Sequence, residues 1–241
     1  MTPEGPWEFP NDSVQGFHGP PWWRKTSSGT PGRGRLIWAF TPIVSLTPRT
    51  LQPIGRTEAT SHESSQFELA PLRARDPKKA PKIPVAALPS FPGEVFAVYR
   101  AKHRPMLVLG TGGALVSEAI LKVMSGWRVH PFLQAAPYFG VEQSEKRAGW
   151  HPEAVARIRH AEYPQYFYEQ LPMGSEKESI LRLDQLQPIG LHQDSYLLTE
   201  WELVPSAVEI LDEWLMWLQR GTLDPEGGLA MLRQGLPSFG G

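Results

Sequence analysis

The chain of 241 residues contains no cysteine. Disulfide bridges, thiolate metal sites and cysteine nucleophiles are therefore excluded. No uninterrupted apolar stretch approaches the roughly 20 residues of a transmembrane helix. The opening residues, MTPEGPWEFPND, also lack the basic start and apolar run of a signal peptide. We expect a cytoplasmic protein with no membrane partner.

Net charge is nearly absent as well, because 24 Lys and Arg face 25 Asp and Glu. The charge is spread unevenly along the chain. Residues 1–90 carry 11 basic and 7 acidic side chains, residues 91–170 carry 9 and 7, and residues 171–241 carry 4 and 11. The acidic end indicates the solvated face of a C-terminal helix, an attraction to the basic front, or separate partners for the two ends.

Proline and glycine are abundant, with 25 and 22 copies, which favours turns and short strands. Both are dense in residues 1–34, together with Trp7, Trp22 and Trp23. Disordered segments are poor in aromatic residues. We therefore interpret residues 1–34 as an extended arm, largely without regular structure, whose tryptophans dock on a surface of this chain or of a partner.

Two short strands and a linker follow this arm. Residues 35–40 (RLIWAF) predict a strand, which Pro42 and Pro48 make an edge strand or an interrupted one. Residues 65–72 (SQFELAPL) predict a second strand. The proline-rich stretch after it is typical of a linker. We divide the chain into residues 1–90, a Pro/Gly/Trp-rich extension with short strands, and residues 91–241, a second domain.

Residues 93–113 (GEVFAVYRAKHRPMLVLGTGG) hold the clearest motif. The alternation in residues 94–100 and the apolar run in residues 104–110 predict two strands joined by a turn at residues 101–103. The glycine-rich end, residues 110–113, lacks the lysine and spacing of a phosphate loop and indicates a tight turn. Later strands are predicted at residues 127–135, 163–171 and 179–185, the last being the final strand of the core.

Two helices are predicted in the second half. The first begins at Pro152 and places Val155 and Ile158 on one face. The second covers the segment PSAVEILDEWLMWLQRGTLD, with Ser206 as N-cap and Gly221 as the stop. Its wide apolar face must be buried, either in the core or against another subunit.

The pentapeptide LQPIG occurs twice, at residues 51–55 and 186–190. The sequences flanking the two copies disagree, so a domain duplication is rejected. We expect the second copy to end the strand before it, with Pro188 and Gly190 turning the chain. The first copy is expected in a similar turn at the end of a strand.

The order of these segments resembles the MazF/PemK family of toxin endoribonucleases over about residues 90–220. Residues 92–95 (PGEV) and 103–109 (HRPMLVL) look like the family's opening strand and its Arg-Pro strand. Residues 179–189 (SILRLDQLQPI), which follow a YEQLP segment, look like its late strand. The resemblance implies a mainly β fold with some α structure, namely a small SH3-like barrel with a C-terminal helix. It implies a dimer or a complex with an antitoxin-like protein, and no cofactor.

The resemblance also implies cleavage of single-stranded RNA, in which the 2′-hydroxyl of the RNA attacks the adjacent phosphate. Arg104 stands at the family's Arg-Pro position and would stabilise the charge on phosphorus, because an arginine binds phosphate oxygens with its fork and stays charged. His103 is the candidate acid or base. Arg100 and Lys102 are candidates for phosphate contacts.

Aromatic residues complete the predicted RNA site, since bases stack on aromatic rings. Tyr138 and Phe139 are the candidates. Structural roles stay open for all these residues: aromatic side chains fill barrel cores, Arg104 would pair with an acid such as Glu94, and His103 would be a solvated residue of a turn. The other histidines lack the spacing of metal ligands, so no metal site is predicted.

One position departs from the family pattern. The family uses a Thr or Ser in the loop after the next strand, and this chain carries Leu133 and Gln134 there. The enzyme class therefore stays open between an endoribonuclease and no enzyme at all. In the second case the barrel would be a catalytically inactive interaction subunit of a larger complex.

Overall fold

A computed structural model describes residues 9–19, 21–74, 93–112, 117–122, 132–145, 148–173 and 178–236. Strand accounts for 38% of the structure and helix for 24%, which confirms a mainly β chain with some α structure. The chain divides into two compact units, the first formed by Met1–Ala39 with His103–Gly241, and the second by Phe40–Lys102. The predicted boundary near residue 90 falls among residues that the structure does not describe, so it stays a prediction.

The described residues contain the strands β1 (Trp23–Lys25), β2 (Arg35–Pro42), β3 (Arg49–Arg56), β4 (Ser65–Pro71), β5 (Phe96–Val98), β6 (Ala101–Gly110), β7 (Phe132–Gly140), β8 (Tyr166–Gln170), β9 (Glu178–Arg182), β10 (Gln187–Gly190) and β11 (Tyr196–Leu203). They also contain the helices α1 (Val14–His18), α2 (Glu118–Leu121), α3 (Pro152–Arg159), α4 (Pro205–Arg220) and α5 (Gly228–Gly235).

One curled antiparallel sheet dominates the described residues. Its strand order is β1-β11-β2-β6-β7-β9-β8, and β10 also pairs with β7. The strand predicted at residues 35–40 is confirmed as β2, which ends at Pro42. Of the two predicted alternatives, an edge strand is wrong, because β11 and β6 flank it, whereas an interruption agrees with the end of the strand at Pro42. Pro42 is compatible with this position because it is the last residue of the strand.

The Arg-Pro strand, β6, is longer than predicted. It begins at Ala101 and includes Lys102 and His103, so the turn predicted at these residues is wrong. The break from β5 lies at Tyr99 and Arg100 instead. The polar start of this strand is exposed, which is why its sequence resembles a turn.

The end of the sheet also differs from the prediction. Residues 179–185 are not the final strand, since β9 is followed by a short 3₁₀ turn (Leu183–Gln185), then β10 and β11. The second LQPIG copy therefore forms a strand rather than a turn, with Ile189 opposite Leu133 of β7. Pro188 fits there because its missing N–H costs nothing on the side of β10 away from β7.

The main core of the first unit lies between the sheet and α4. Five residues of α4 are buried: Ala207, Ile210, Leu211, Trp214 and Trp217. They pack against sheet residues that include Leu36, Leu107, Tyr138, Phe167 and Leu181. The predicted burial of this apolar face is confirmed as core packing. The predicted N-cap is wrong, because Val204 precedes the helix and Ser206 lies within its first turn, whereas Gly221 ends it with φ +74°.

Two smaller clusters complete the first unit. The second core consists of Ile37, Ala39, Met106, Val108, Leu133, Ala135 and Ile189. The third lies beneath α3 and consists of Val155, Ile158, Tyr168 and Ile180. The helix predicted to begin at Pro152 is therefore confirmed, and its apolar face packs on β8 and β9.

The described part of the N-terminal arm contains α1 and β1 and docks on its own chain, whereas Trp7 lies outside the described residues. Trp22 and Trp23 are only 3% and 4% exposed. β1 pairs with β11, with Trp23 opposite Leu203. The sequence left open whether these tryptophans dock on this chain or on a partner. In the structure, Trp22 and Trp23 dock on this chain.

The second unit contains a three-stranded antiparallel sheet in the order β4-β3-β5. The strand predicted at residues 65–72 is confirmed as β4. The first LQPIG copy lies inside β3, so the predicted turn is wrong there too. The pairing of β3 is irregular between Pro53 and Gly55. The strand after PGEV is β5, which pairs with β3, and β2 takes the place next to the Arg-Pro strand.

Candidate nucleic-acid interface

Arg104 of β6 lies against Phe139 of β7. Met106 of β6 pairs with Pro137 of β7. Two residues further along this antiparallel register, Arg104 lies opposite Phe139. Tyr138 points into the main core, so Phe139 points to the opposite face because side chains alternate along a strand. The guanidinium carbon of Arg104 lies 3.9 Å from the centre of the Phe139 ring, which is a close cation–π contact.

A second arginine, Arg182 at the end of β9, approaches the same ring. Its guanidinium carbon lies 5.6 Å from the ring centre of Phe139, 5.1 Å from Tyr166 and 5.9 Å from Trp150. The rings of Trp150 and Tyr166 meet edge to face at 5.3 Å. We name these five half-buried residues the arginine-aromatic surface: Arg104, Phe139, Trp150, Tyr166 and Arg182.

The two arginines differ in their electrostatic surroundings. Arg182 donates to Asp184 through Nε at 2.7 Å and Nη2 at 2.6 Å, and these bonds raise the pKa of Arg182. Arg104 forms no ion pair with a carboxylate among the described residues, and partial burial lowers the pKa of Arg104 from its usual value. Arginine stays protonated in proteins, so Arg104 is a cation whose charge is available to a ligand.

Trp150 is held in place by the loop that precedes α3. Its backbone N–H donates to the Val141 carbonyl at 3.1 Å. The residue before it, Gly149, has φ +55°, and a Cβ there would lie 2.5 Å from the Cα of Gln143. Only glycine allows this crossing of two backbone segments, so Gly149 positions the Trp150 ring beside Arg182.

Replacing Gly149 with alanine is expected to lower the free energy of unfolding by about 2–3 kcal/mol, since the new methyl group meets backbone in a left-handed conformation. Gly221→Ala is the matched control, because Gly221 has φ +74° but nothing within 4 Å of the added Cβ. That variant should cost only about 1 kcal/mol. Urea denaturation followed by circular dichroism measures both. Equal costs would show that the backbone contact at Gly149 does not constrain the fold.

The two predicted catalytic residues lie on opposite faces of the sheet. Arg104 shares its face with Met106 and the second core, whereas His103 is the neighbouring residue on the same strand. The exposed His103 ring stacks on Trp38 of β2 at 5.0 Å with an angle of 16°. A role for His103 as acid or base at a phosphate held by Arg104 is therefore wrong for this arrangement.

The other predicted site residues fall in three places. Phe139 belongs to the arginine-aromatic surface. Tyr138 is 2% exposed and lies in the main core, so its predicted stacking on RNA is wrong. Burial raises the pKa of its hydroxyl well above the usual value. Arg100 and Lys102 belong to the second unit and are exposed, and their phosphate contacts stay a prediction.

No protein-family model, curated protein or solved structure matches this chain. The MazF/PemK resemblance is therefore neither supported nor contradicted by relatives. Among the described residues, no three His, Cys, Asp or Glu side chains come together as metal ligands. No helix in the same part of the chain is long and apolar enough to cross a membrane.

Sequence reasoning missed Arg182 and Trp150 as members of the surface. Their signal is weak, because the five members come from five separate segments of the chain. The spacing of Arg182 and Asp184 is the best local indication, since an arginine and an aspartate two residues apart can form an ion pair. Leu133 is fully buried and Gln134 is exposed, and both lie within β7 rather than in the loop that was expected there.

Proposed function

We propose that the first unit binds single-stranded RNA through the arginine-aromatic surface. The observation that carries the proposal is the pair of guanidinium groups, Arg104 and Arg182, on the Phe139 ring, with Trp150 and Tyr166 beside them. Proteins that bind single strands combine cations for the phosphates with aromatic rings for the bases. This surface offers both within one side of one sheet.

The two kinds of group would act on different parts of the strand. Bases would stack on the exposed parts of the rings and on the arginine planes, since every base has a π face. Arg104 would neutralise a phosphate because no carboxylate of the described residues competes for it. Arg182 shares its charge with Asp184 and would serve mainly as a stacking plane.

We further propose that this unit is an SH3-like barrel of the MazF/PemK type. The curled antiparallel sheet supports this, because the Arg-Pro strand β6 and the late strand β9 both pair within it and a helix near the C-terminus packs on it. β2, rather than the strand after PGEV, would be the opening strand.

Binding without cleavage is the form of the function that the geometry favours. His103 faces away from Arg104, and Leu133 and Gln134 supply no hydroxyl. A phosphate on Arg104 would thus meet stacking groups but neither of the two expected catalytic groups. An interaction subunit that holds RNA in a larger complex fits this arrangement better than a toxin endoribonuclease.

The test is fluorescence anisotropy with a labelled single-stranded RNA of about 12 nucleotides. We expect Arg104→Ala to weaken binding about tenfold, and to lower the salt slope of the affinity by about one, because one phosphate contact is lost. Arg220→Ala, an exposed arginine on α4, is the matched control and should bind as the native protein does.

Two results would contradict the proposal. One is an affinity for single-stranded RNA that neither falls with salt nor changes in Arg104→Ala. The other is a preference for duplex RNA, since paired bases cannot stack on the rings. A gel of the same RNA after incubation tests cleavage separately. Products that are lost in Arg104→Ala would restore the endoribonuclease assignment.

A further inference from the structure

Two consecutive tryptophans of the N-terminal arm donate to one buried carboxylate. We define the N-terminal strap as residues 9–19 and 21–25. Trp22 Nε1 donates to Glu169 Oε2 at 2.9 Å, and Trp23 Nε1 donates to Glu169 Oε1 at 3.2 Å and to the Gln170 carbonyl at 3.1 Å. Glu169 lies on β8 and is fully buried.

The strap has further attachments within the first unit, since Val14, Trp22 and Trp23 belong to the main core and Phe9 packs against it. Asp12 forms an ion pair with Arg159 at 3.1 Å, and Gln15 donates to the Tyr168 carbonyl. Beyond Trp22, the chain pairs with β11 over only three residues. The two indoles hold the strap to a buried carboxyl, whereas Gln15 holds it to a backbone carbonyl.

We propose that the strap is a pH-sensitive latch, which is closed while the Glu169 carboxyl is protonated and opens when this carboxyl ionises. The reason is the cost of burying a charge. In the closed state the strap shields Glu169 from water, and an ionised carboxylate is therefore unfavourable at this position. Open, the strap would admit water to Glu169 and leave the outer edge of β11 unpaired.

The balance of effects at Glu169 supports this direction. Desolvation raises the pKa of Glu169 to about 8, although the N–H donors of Trp22, Trp23 and Gln170 oppose the shift. A carboxyl whose pKa is higher in the closed state favours closure at low pH. The preference for the closed state is lost as the pH rises from the ordinary carboxyl range towards 8. Above pH 8 the equilibrium between the closed and open states no longer changes with the ionisation of Glu169.

Other titratable and charged groups lie around the latch. Tyr138 approaches Glu169 from β7, and burial keeps it neutral by raising its pKa. The His18 ring of α1 meets the Trp22 ring edge to face at 5.2 Å. Further out, Arg24 pairs with Glu202, Lys25 with Glu200, and Asp12 with Arg159 and His160. A separate variant must therefore exclude His18.

Hydrogen exchange followed by mass spectrometry tests the latch on the full chain between pH 6 and 9, after correction for the intrinsic exchange rate. We expect the protection of the strap peptides to fall by up to about tenfold per pH unit between pH 6 and 8. Peptides from α4 are the internal control and should keep their protection. Strap protection that is constant, or that changes in parallel with α4, would overturn the proposal.

Variants distinguish the effect of the Glu169 carboxyl from the effects of the other titratable groups around it. Glu169→Gln should abolish the pH slope of strap protection, whether or not its amide holds the strap closed. The double variant Trp22→Phe/Trp23→Phe should open the strap at pH 6, whereas Trp38→Phe, which removes an indole elsewhere, should not. His18→Ala should keep the native slope. A slope that persists in Glu169→Gln or disappears in His18→Ala would assign the effect to another group.

Discussion

Replacing Trp214 with alanine is expected to lower the free energy of unfolding by about 3–5 kcal/mol, the usual cost of deleting a large buried ring. Trp214 is 1% exposed at the centre of the main core. Its ring meets Phe167 edge to face at 4.7 Å and lies 5.8 Å from Trp217. Its indole N–H also donates to the Pro164 carbonyl at 3.1 Å, so the variant loses packing and leaves a partly buried acceptor without its donor.

Met216→Ala is the control for this prediction. Met216 lies two residues away on the same helix and is 42% exposed, so its truncation should change the free energy by less than about 1 kcal/mol. Circular dichroism is the appropriate probe of urea denaturation, because Trp214→Ala removes a fluorophore. A similar cost for both variants would mean that α4 is not packed on the sheet as described.

The same helix shows what could be predicted from the sequence. Its apolar residues repeat at helical spacing over four turns, and a long periodic segment is recognisable without its surroundings. Its N-cap could not be predicted from the capping-box pattern at Ser206, because Pro205 suits the first helical position and shifts the start by two residues. Local patterns thus predicted the existence and packing of the helix better than its boundary.

The strands show the complementary limit. β2 and the apolar half of β6 were recognisable because they are continuous apolar runs. β10 was missed because its four residues, QPIG, include a proline and a glycine, and pairing with β7 decides its structure. β11 (YLLTEWEL) has no proline or glycine and is mostly apolar or aromatic, so its strand pattern was present in the sequence and was overlooked. The burial of Glu169 could not be predicted either, since its partners Trp22 and Trp23 lie almost 150 positions earlier.

For the candidate site, residue type was predictable but direction was not. Arg104 and Phe139 were selected for their chemistry, and both belong to the arginine-aromatic surface. His103 and Tyr138 were selected on the same grounds, yet each is the strand neighbour of a surface residue and points to the opposite face. Side chains alternate along a strand. Knowing which face of β6 and β7 is buried would therefore have distinguished Arg104 from His103 and Phe139 from Tyr138.

Replacing Phe139 with alanine is expected to weaken the binding of single-stranded RNA by about tenfold to a hundredfold, the effect of losing one stacking platform. The loss should exceed that of Arg104→Ala. Phe139 supports both Arg104, at 3.9 Å, and Arg182, at 5.6 Å, so its removal disorders two cations as well as one ring. The same anisotropy assay measures the affinity, with unfolding checked in parallel because the ring is half-buried.

Phe132→Ala is the matched control, since Phe132 is an exposed phenylalanine at the other end of β7 and points away from the surface. It should leave the affinity unchanged. If Phe139→Ala binds RNA as tightly as Phe132→Ala while remaining folded, the rings serve packing alone. The guanidinium groups would then act as simple charges, and Arg104→Ala and Arg182→Ala would weaken binding additively.

If the surface acts as one platform, the double arginine variant should lose less than the sum of the two single effects, because each arginine supports the same ring.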